Sequence, residues 1–437
     1  MSQQVRSTRL PNGAIVLTEQ MPGLRSATIG IWVRRGSRHE SAPMNGICHF
    51  IEHAVFKGTE RRTALDIAVE SDRLGGHFDA YTSHEMTGFA LKVVDRAVPQ
   101  AFDLLSDMLT RPRFDDAELE REQKVIIEEM KMVEDTPDEL LAELFVAAYF
   151  PGHSLGRPIE GVPETVSSFN HKRTSSFHSH AYAPQNLVVA AAGHVEHEQM
   201  VELAERAFDS SPKSSKRTTA SERLFEESDA SGSAAAAPAP AAPILIQHKK
   251  ELEQAHLILA SPWPSARDAD RYAASLLGSI IGGGTSSRLW QSVREERGLA
   301  YSIGAAASAF TDTGIFQIYA GTSPEQLDEV LDLSLAELRR PLRETVGEEE
   351  LRLAKDQSIS SILLGLESTS TRAGTLARQE ITHGQYTSPD EIIRRLEAVT
   401  PEDLRRVAET YFNTDTLALA VLGDLNGFRA DRARLEI

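Results

Sequence analysis

The chain has 437 residues, with 64 Asp and Glu against 46 Lys and Arg, a formal net charge of −18, and a hydrophobic fraction of 41%. That length and apolar content predict about two to four globular domains rather than a disordered chain, and the acidic balance excludes general nucleic-acid binding, which needs basic clusters to neutralise phosphates. One cysteine excludes a disulfide framework and any multi-thiolate zinc or iron–sulfur centre and fits a reducing compartment, so a bound metal would have to be held by histidine and carboxylate.

The segment from Met1 to Leu10 lacks the apolar stretch of a secretory signal, and no window approaches 18 consecutive apolar residues. A cytoplasmic protein without a membrane-spanning helix is expected. Pro11-Asn12-Gly13 reads as a turn between two short strand-like runs. Ser26 to Val33 follows as a largely apolar strand, and Asn45 to Phe56 as a helix of mostly buried character. Leu65 to Leu74 predicts a second helix, stopped by Gly75-Gly76. Phe78 to Ser83 and Thr87 to Val93 alternate as strands, whereas Ala97 to Leu109, Asp115 to Val133 and Leu140 to Tyr149 carry helical periodicity. His178-Ser179-His180 reads as surface histidines in a strand or loop, not a second metal pair.

Ser210 to Pro243 is rich in Ser, Ala and Pro without periodicity and reads as a linker. It separates an N-terminal domain, residues 1–209, from a C-terminal domain, residues 244–437. The two halves look related. Tyr182 precedes the apolar run Leu187 to Ala192 and Gly193, just as Tyr411 precedes Leu417 to Leu422 and Gly423. Ala117 to Arg121 also opens a long helix, as Glu349 to Leu353 does. Duplication is the expected history, and mixed helices and strands with short connections predict an α/β (α+β) fold in each half.

The chemistry concentrates in His49-Phe50-Ile51-Glu52-His53. On a helix, positions i and i+4 share a face, so both imidazoles can reach one ion, and Glu52 at i+3 lies beside them. A carboxylate there can take a proton from a zinc-bound water, whose pKa falls towards about 7. The order inverts the commoner His-Glu-x-x-His and is the inverzincin order. A catalytic zinc also needs a third protein ligand. On the helix Asp115 to Val133 the buried stripe is Leu119, Ile126, Met130 and Val133. Glu129 lies about 60° from its centre and Glu122 about 40°, while Glu128 points to solvent. Glu129 is therefore the expected ligand, and Glu122 a neighbouring carboxylate that orients a ligating histidine. Gly282-Gly283-Gly284 lacks the pattern of a phosphate cradle.

His49 to His53, followed by Phe56-Lys57-Gly58-Thr59, resembles the pitrilysin/insulinase family of zinc metallopeptidases, which includes the mitochondrial processing peptidase and many bacterial homologues. In that family the third ligand is a Glu about 76 residues beyond the second His, the position of Glu129, and a second Glu seven residues earlier matches Glu122. Gly75 to Ser83 is similar to the family's edge strand, which pairs with an extended peptide, so Asp79, Ala80 and Tyr81 become expected substrate contacts. Gly152 to Pro158 resembles the loop after the ligand helix. Arg294 and Tyr301, seven apart, match the Arg and Tyr that contact substrate from the facing domain.

The resemblance implies two tandem related domains, each a mainly antiparallel or mixed sheet backed by helices, forming shells around a chamber. It implies one Zn2+ per chain, Glu52 as the general base, oligopeptides or unfolded segments as substrates, and a homodimer. The alternative it leaves is a non-catalytic or partner-dependent subunit of a processing-peptidase-like complex. Two positions depart from the family pattern. Asp79 stands where Asn is frequent, which replaces an amide by an acceptor-only carboxylate and favours basic substrate residues. Cys48 stands where a small residue is usual and is expected to pack as a small hydrophobe.

Overall fold

Two sheets organise the protein, and the computed structural model describes residues 5–209, 238–425 and 427–437 of it. The described residues form two compact units. The first draws on Met1–Lys131, Arg157–Ala235 and Leu364–Tyr386, the second on Met132–Gly156, Ala236–Leu363 and Thr387–Ile437. Each unit thus contains a segment from the other half of the chain. Of the expected linker, residues 210–237 lie outside the described residues. Its end is held to the second unit: the Ala241 N–H donates to the Tyr149 carbonyl (2.8 Å) and the Leu419 N–H to the Pro243 carbonyl (2.8 Å).

In the first unit β1 (Val5–Arg9), β2 (Ile15–Gln20), β3 (Ser26–Val33), β4 (His77–Thr82), β5 (Thr87–Val94) and β6 (Leu187–Gly193) form one sheet. Their order is β1-β2-β6-β3-β5-β4, with β2 and β6 parallel and the other neighbours antiparallel. Strand β6 is an unbroken apolar run because both its faces are covered. On one face Val189 and Ala191 join a core with α1 (Ile47–Ala54), α2 (Ala64–Leu74), α3 (Val98–Thr110) and α4 (Asp116–Asp135). On the other, Val188, Ala190 and Ala192 meet Ala373, Leu376 and Ala377 of the helix Thr369–His383. Polar contacts tie that helix to the sheet. Arg372 Nε donates to Glu19 Oε2 (2.7 Å), the Thr28 and Thr369 hydroxyls pair (2.8 Å), and Arg34 Nη2 donates to Glu380 Oε1 (2.7 Å).

The second unit repeats the arrangement. Strands β7 (Ile244–His248), β8 (Ala255–Trp263), β9 (Ala300–Ala309), β10 (Gly314–Thr322) and β11 (Ala418–Gly423) lie in the order β7-β11-β8-β10-β9, with β7 and β11 parallel and the rest antiparallel. Order and direction match β2-β6-β3-β5-β4 strand for strand, so the kinship read from two apolar runs extends to the whole sheet. One face is covered by α5 (Pro137–Tyr149), whose Leu141, Phe145 and Tyr149 pack on Ile258, Ala260, Ala418 and Ala420. Both units are mixed α/β, each a sheet backed by helices.

Two local readings change. The helix expected over Asn45 to Phe56 is confined to Ile47–Ala54, with a 3-10 turn at Val55–Lys57, because Gly46 at φ +92° cannot be helical. His178 and His180 lie on the helix His171–Ala181, not in a strand or loop, and His178 is buried rather than on the surface. The ring of His178 stacks on Tyr182 at 4.5 Å and its Nε2 bonds the Leu109 carbonyl (2.9 Å). Among the described residues no helix is long and apolar enough to cross a membrane.

Candidate metal centre

The site begins with a sharp turn. Gly46 needs its positive φ, and a Cβ there would stand 2.4 Å from the Glu160 carbonyl oxygen. Glycine offers no cap for the helix that follows, and the buried Glu40 supplies one. Its carboxylate accepts from the N–H groups of Gly46 (2.8 Å) and Cys48 (2.8 Å) and from Asn45 Nδ2 (3.3 Å). Burial pushes the Glu40 carboxyl up to about 7, against these hydrogen bonds. An acidic group is favourable at a helix N-terminus. Ile47, Cys48, Phe50, Ile51 and Ala54 face the core, which leaves His49, Glu52 and His53 on the other side of α1. Cys48 packs within that core.

One donor atom each of His49, His53 and Glu129 lie within 4.8 Å of one another. The rings of His49 and His53 stand 4.7 Å apart. His53 is gripped at both nitrogens: Nδ1 donates to Glu122 Oε2 (3.3 Å) and Nε2 lies 3.7 Å from Glu129 Oε2. Glu122 is buried and also accepts Lys57 Nζ at 2.8 Å, so a chain from Lys57 through Glu122 sets the plane of the His53 ring. Glu128 points to solvent and pairs with Lys131 (2.6 Å).

Burial, together with the neighbouring His53, lowers His49 to about 4, so its ring is neutral and its lone pair is available. Burial disfavours the charged His53 too, but the Glu122 hydrogen bond and the Glu129 and Glu52 carboxylates outweigh it and raise His53. Burial would raise Glu122, yet His53 and Lys57 hold it below the usual carboxylate range. Burial raises Glu52, against a hydrogen bond from Thr82 Oγ1 to its Oε2 (2.6 Å).

These residues fit a divalent cation. His49 Nδ1 is buried without a hydrogen-bond partner, and Glu52, Glu122 and Glu129 converge on two imidazoles, with Lys57 paired to Glu122. Two imidazoles and one carboxylate are a donor set of catalytic zinc sites.

Beside α1 runs β4, the end strand of the sheet, which pairs only with β5 among the described residues. Asp79 and Tyr81 face outward, while Ala80 packs towards the core. The Tyr81 hydroxyl accepts from Trp32 Nε1 (3.1 Å), and Asp79 adds to the negative potential at Glu52. Arg294 and Tyr301 belong to the second unit. There the Arg294 guanidinium lies over the rings of Trp290 (4.1 Å) and Tyr301 (4.7 Å), and its Nη1 donates to the Tyr301 carbonyl (2.8 Å).

Sequence reasoning did not find the roles of Thr82, Lys57, Glu40 or Trp290. Thr82 could have been noticed as the inward position that continues Phe78 and Ala80, and Lys57 as the cation one turn beyond His53. Glu40 carries no signal in the sequence, since its two shortest contacts are to backbone N–H groups.

Residues 15–162, which contain the whole histidine and glutamate cluster, match the family model of insulinase (peptidase family M16), and residues 168–358 match that of the peptidase M16 inactive domain. An "uncharacterized zinc protease" of Streptomyces coelicolor is 37% identical over 98% of this chain and 91% of its own. One of Mycobacterium leprae is 37% identical, covering 97% and 92%, and one of Bacillus subtilis is 36% identical, covering 94% and 96%. Among solved structures, a protease from Helicobacter pylori has the same fold, with a TM-score of 0.86 at 22% identity over 96% of this chain and 99% of that one.

Proposed function

Because the chain belongs to the insulinase family of peptidases, M16, we propose that it is a zinc-dependent endopeptidase that hydrolyses oligopeptides or unfolded segments held in extended form. The observation that carries this reading is the convergence of His49, His53 and Glu129, with Glu52 on the same side of α1. One zinc ion per chain, held by those three residues, would supply a Lewis acid that polarises a peptide carbonyl and makes water a nucleophile at neutral pH.

The chain's own residues do the rest. Glu52 takes a proton from the attacking water and returns it to the amine nitrogen as the C–N bond breaks, a task suited to a carboxylate raised by burial. Glu122 and Lys57 keep the His53 ring in one plane. The outer edge of β4 accepts the peptide as an added strand, so main-chain hydrogen bonds hold it without strict sequence preference. Asp79 and Tyr81, on the outward face of that strand, meet its side chains, and Asp79 favours basic residues. Arg294 and Tyr301 contact the peptide main chain. The working state is a cytoplasmic homodimer.

A second reading, a non-catalytic or partner-dependent subunit, draws on the match of residues 168–358 to an inactive domain. That span does not include His49, Glu52, His53, Glu122 or Glu129. Metal analysis with a peptide-library digest separates the two. The Glu52→Gln variant should keep its zinc and lose at least about a hundredfold in hydrolysis; hydrolysis at the wild-type rate would refute the mechanism, and a zinc-loaded wild type that cleaves no peptide would favour the second reading.

A further inference from the structure

The geometry points to Thr82 as a positioning residue for Glu52: its hydroxyl holds one carboxylate oxygen so that the other is presented to the attacking water. This inference rests on the proposed peptidase reading. Thr82 is the last residue of β4, and Glu52 lies on the following turn of α1 from His49, so the contact ties the metal-site helix to the sheet edge. The hydroxyl has a single proton, and it is given to Glu52 Oε2 at 2.6 Å. Oε1 makes no hydrogen bond among the described residues, so it is the oxygen left to accept a proton.

A carboxylate on an otherwise unrestrained glutamate swings about its last side-chain bond, and that torsion is broad. Proton transfer needs hydrogen-bond reach in a defined direction. The other neighbours of Glu52 do not provide that restraint. Asp79 and Glu129 repel it and His53 attracts it through charge, none of which fixes a direction. Thr82 does, and it is itself fixed by its place opposite Thr87 in the β4–β5 ladder. Thr82 therefore touches no reacting atom and acts through Glu52.

Thr82→Val removes the hydroxyl while keeping the shape and the strand propensity, and Thr82→Ser keeps the hydroxyl while losing a methyl. The test measures steady-state cleavage of one fluorogenic peptide, zinc per chain and the thermal midpoint for the wild type, both variants and Glu52→Gln. A hydrogen bond to a charged group corresponds to about tenfold to a hundredfold in rate. Thr82→Val should lower kcat by that factor with KM, zinc content and thermal midpoint unchanged, and Thr82→Ser should recover to within about threefold of wild type. An unchanged kcat in Thr82→Val, a loss that Thr82→Ser does not restore, or a loss that tracks zinc or folding would overturn the inference while leaving the peptidase reading intact. A wild type without hydrolysis, or one no faster than Glu52→Gln, would overturn the parent reading and this one with it.

Discussion

Replacing Arg372 by methionine strands a carboxylate inside the first unit. The Glu19 side chain is 0% exposed and the Arg372 side chain 4%, and Nε donates to Oε2 at 2.7 Å while the second guanidinium nitrogen reaches Glu19 Oε1 and the Tyr386 hydroxyl. Methionine fills much of the arginine's volume, so the loss is electrostatic rather than a cavity. Removing one partner of such a pair costs about 3–5 kcal/mol. For a unit of roughly 200 residues each kcal/mol moves the midpoint by about 2–4 °C, so the first unit should melt about 6–20 °C earlier. The assay can be made specific to that unit. The chain has three tryptophans, and Trp32 is the one in the first unit, packed in the cluster that contains Ala373, Leu376 and Ala377. In a Trp263→Phe, Trp290→Phe background its fluorescence follows this sheet during thermal or urea unfolding. The double variant Glu19→Met, Arg372→Met should recover most of the loss, because a buried pair replaced by apolar residues is often neutral. A loss below about 1 kcal/mol in Arg372→Met, or a double variant no better than the single one, would refute the role assigned to the pair.

Two further outcomes follow from single contacts. Glu122→Gln removes the charge that joins Lys57 to His53 and should weaken zinc binding by about 10–100-fold in competition with a chromophoric chelator, with little change in thermal midpoint; unchanged affinity would show that the Glu122 charge does not orient the ring. Burial holds His178 near 4, against about 6.5 when unfolded, so the unfolded chain binds the extra proton on acidification. Its stabilisation is complete above about pH 6.5 and falls by roughly 3 kcal/mol as the pH drops to about 4, and His178→Gln should flatten that part of the urea-denaturation profile; an identical slope in wild type and variant would exclude His178 as its source.

The metal cluster was legible because its members obey helical geometry. His49, Glu52 and His53 share a face of α1 by spacing alone, and the apolar stripe of α4 fixes which glutamates border the core, so the sequence alone tells Glu122 and Glu129 from Glu128. Strand β3 was legible end to end because a strand buried on both faces is an apolar run. Contacts across elements were not. Thr82 meets Glu52 through the approach of a strand edge to a helix, and that distance depends on packing rather than on the periodicity of either segment. Glu19 is a charged residue next to the exposed end of β2, and the partner that accounts for its burial is 353 residues away. His178 sits in the polar segment His171–Ala181, whose composition suggests a surface, and only the aromatic and carbonyl groups around it account for its burial. Helix α5 was found in place, yet its apolar face gives no hint that the sheet it covers is built from strands between residues 244 and 423.

The two halves spend the same architecture differently. After β8, as after β3, a helix packs on the sheet, and in the helix Arg271–Gly282 the residues Leu277, Ile280 and Ile281 repeat the spacing of the core-facing Ile47, Phe50 and Ile51 of α1. They are 0%, 4% and 0% exposed. Each such aliphatic side chain stabilises its unit by about 1.5–3 kcal/mol through burial, whereas the imidazoles and carboxylates of the first half are polar groups whose partial burial is costly until a cation meets them. The first half adds its site on the opposite face of α1, and its sheet, like that of the second, takes support from elsewhere in the chain. The face of that sheet formed by Ile15, Leu17, Trp32, Val188 and Ala190 is covered by Ala373, Leu376 and Ala377, with the Glu19–Arg372 pair beneath. A chain ending at residue 209 would keep every candidate metal ligand and leave that face open, so the metal-bearing unit depends on residues 364–386 for its fold as much as on residues 49–129 for its chemistry.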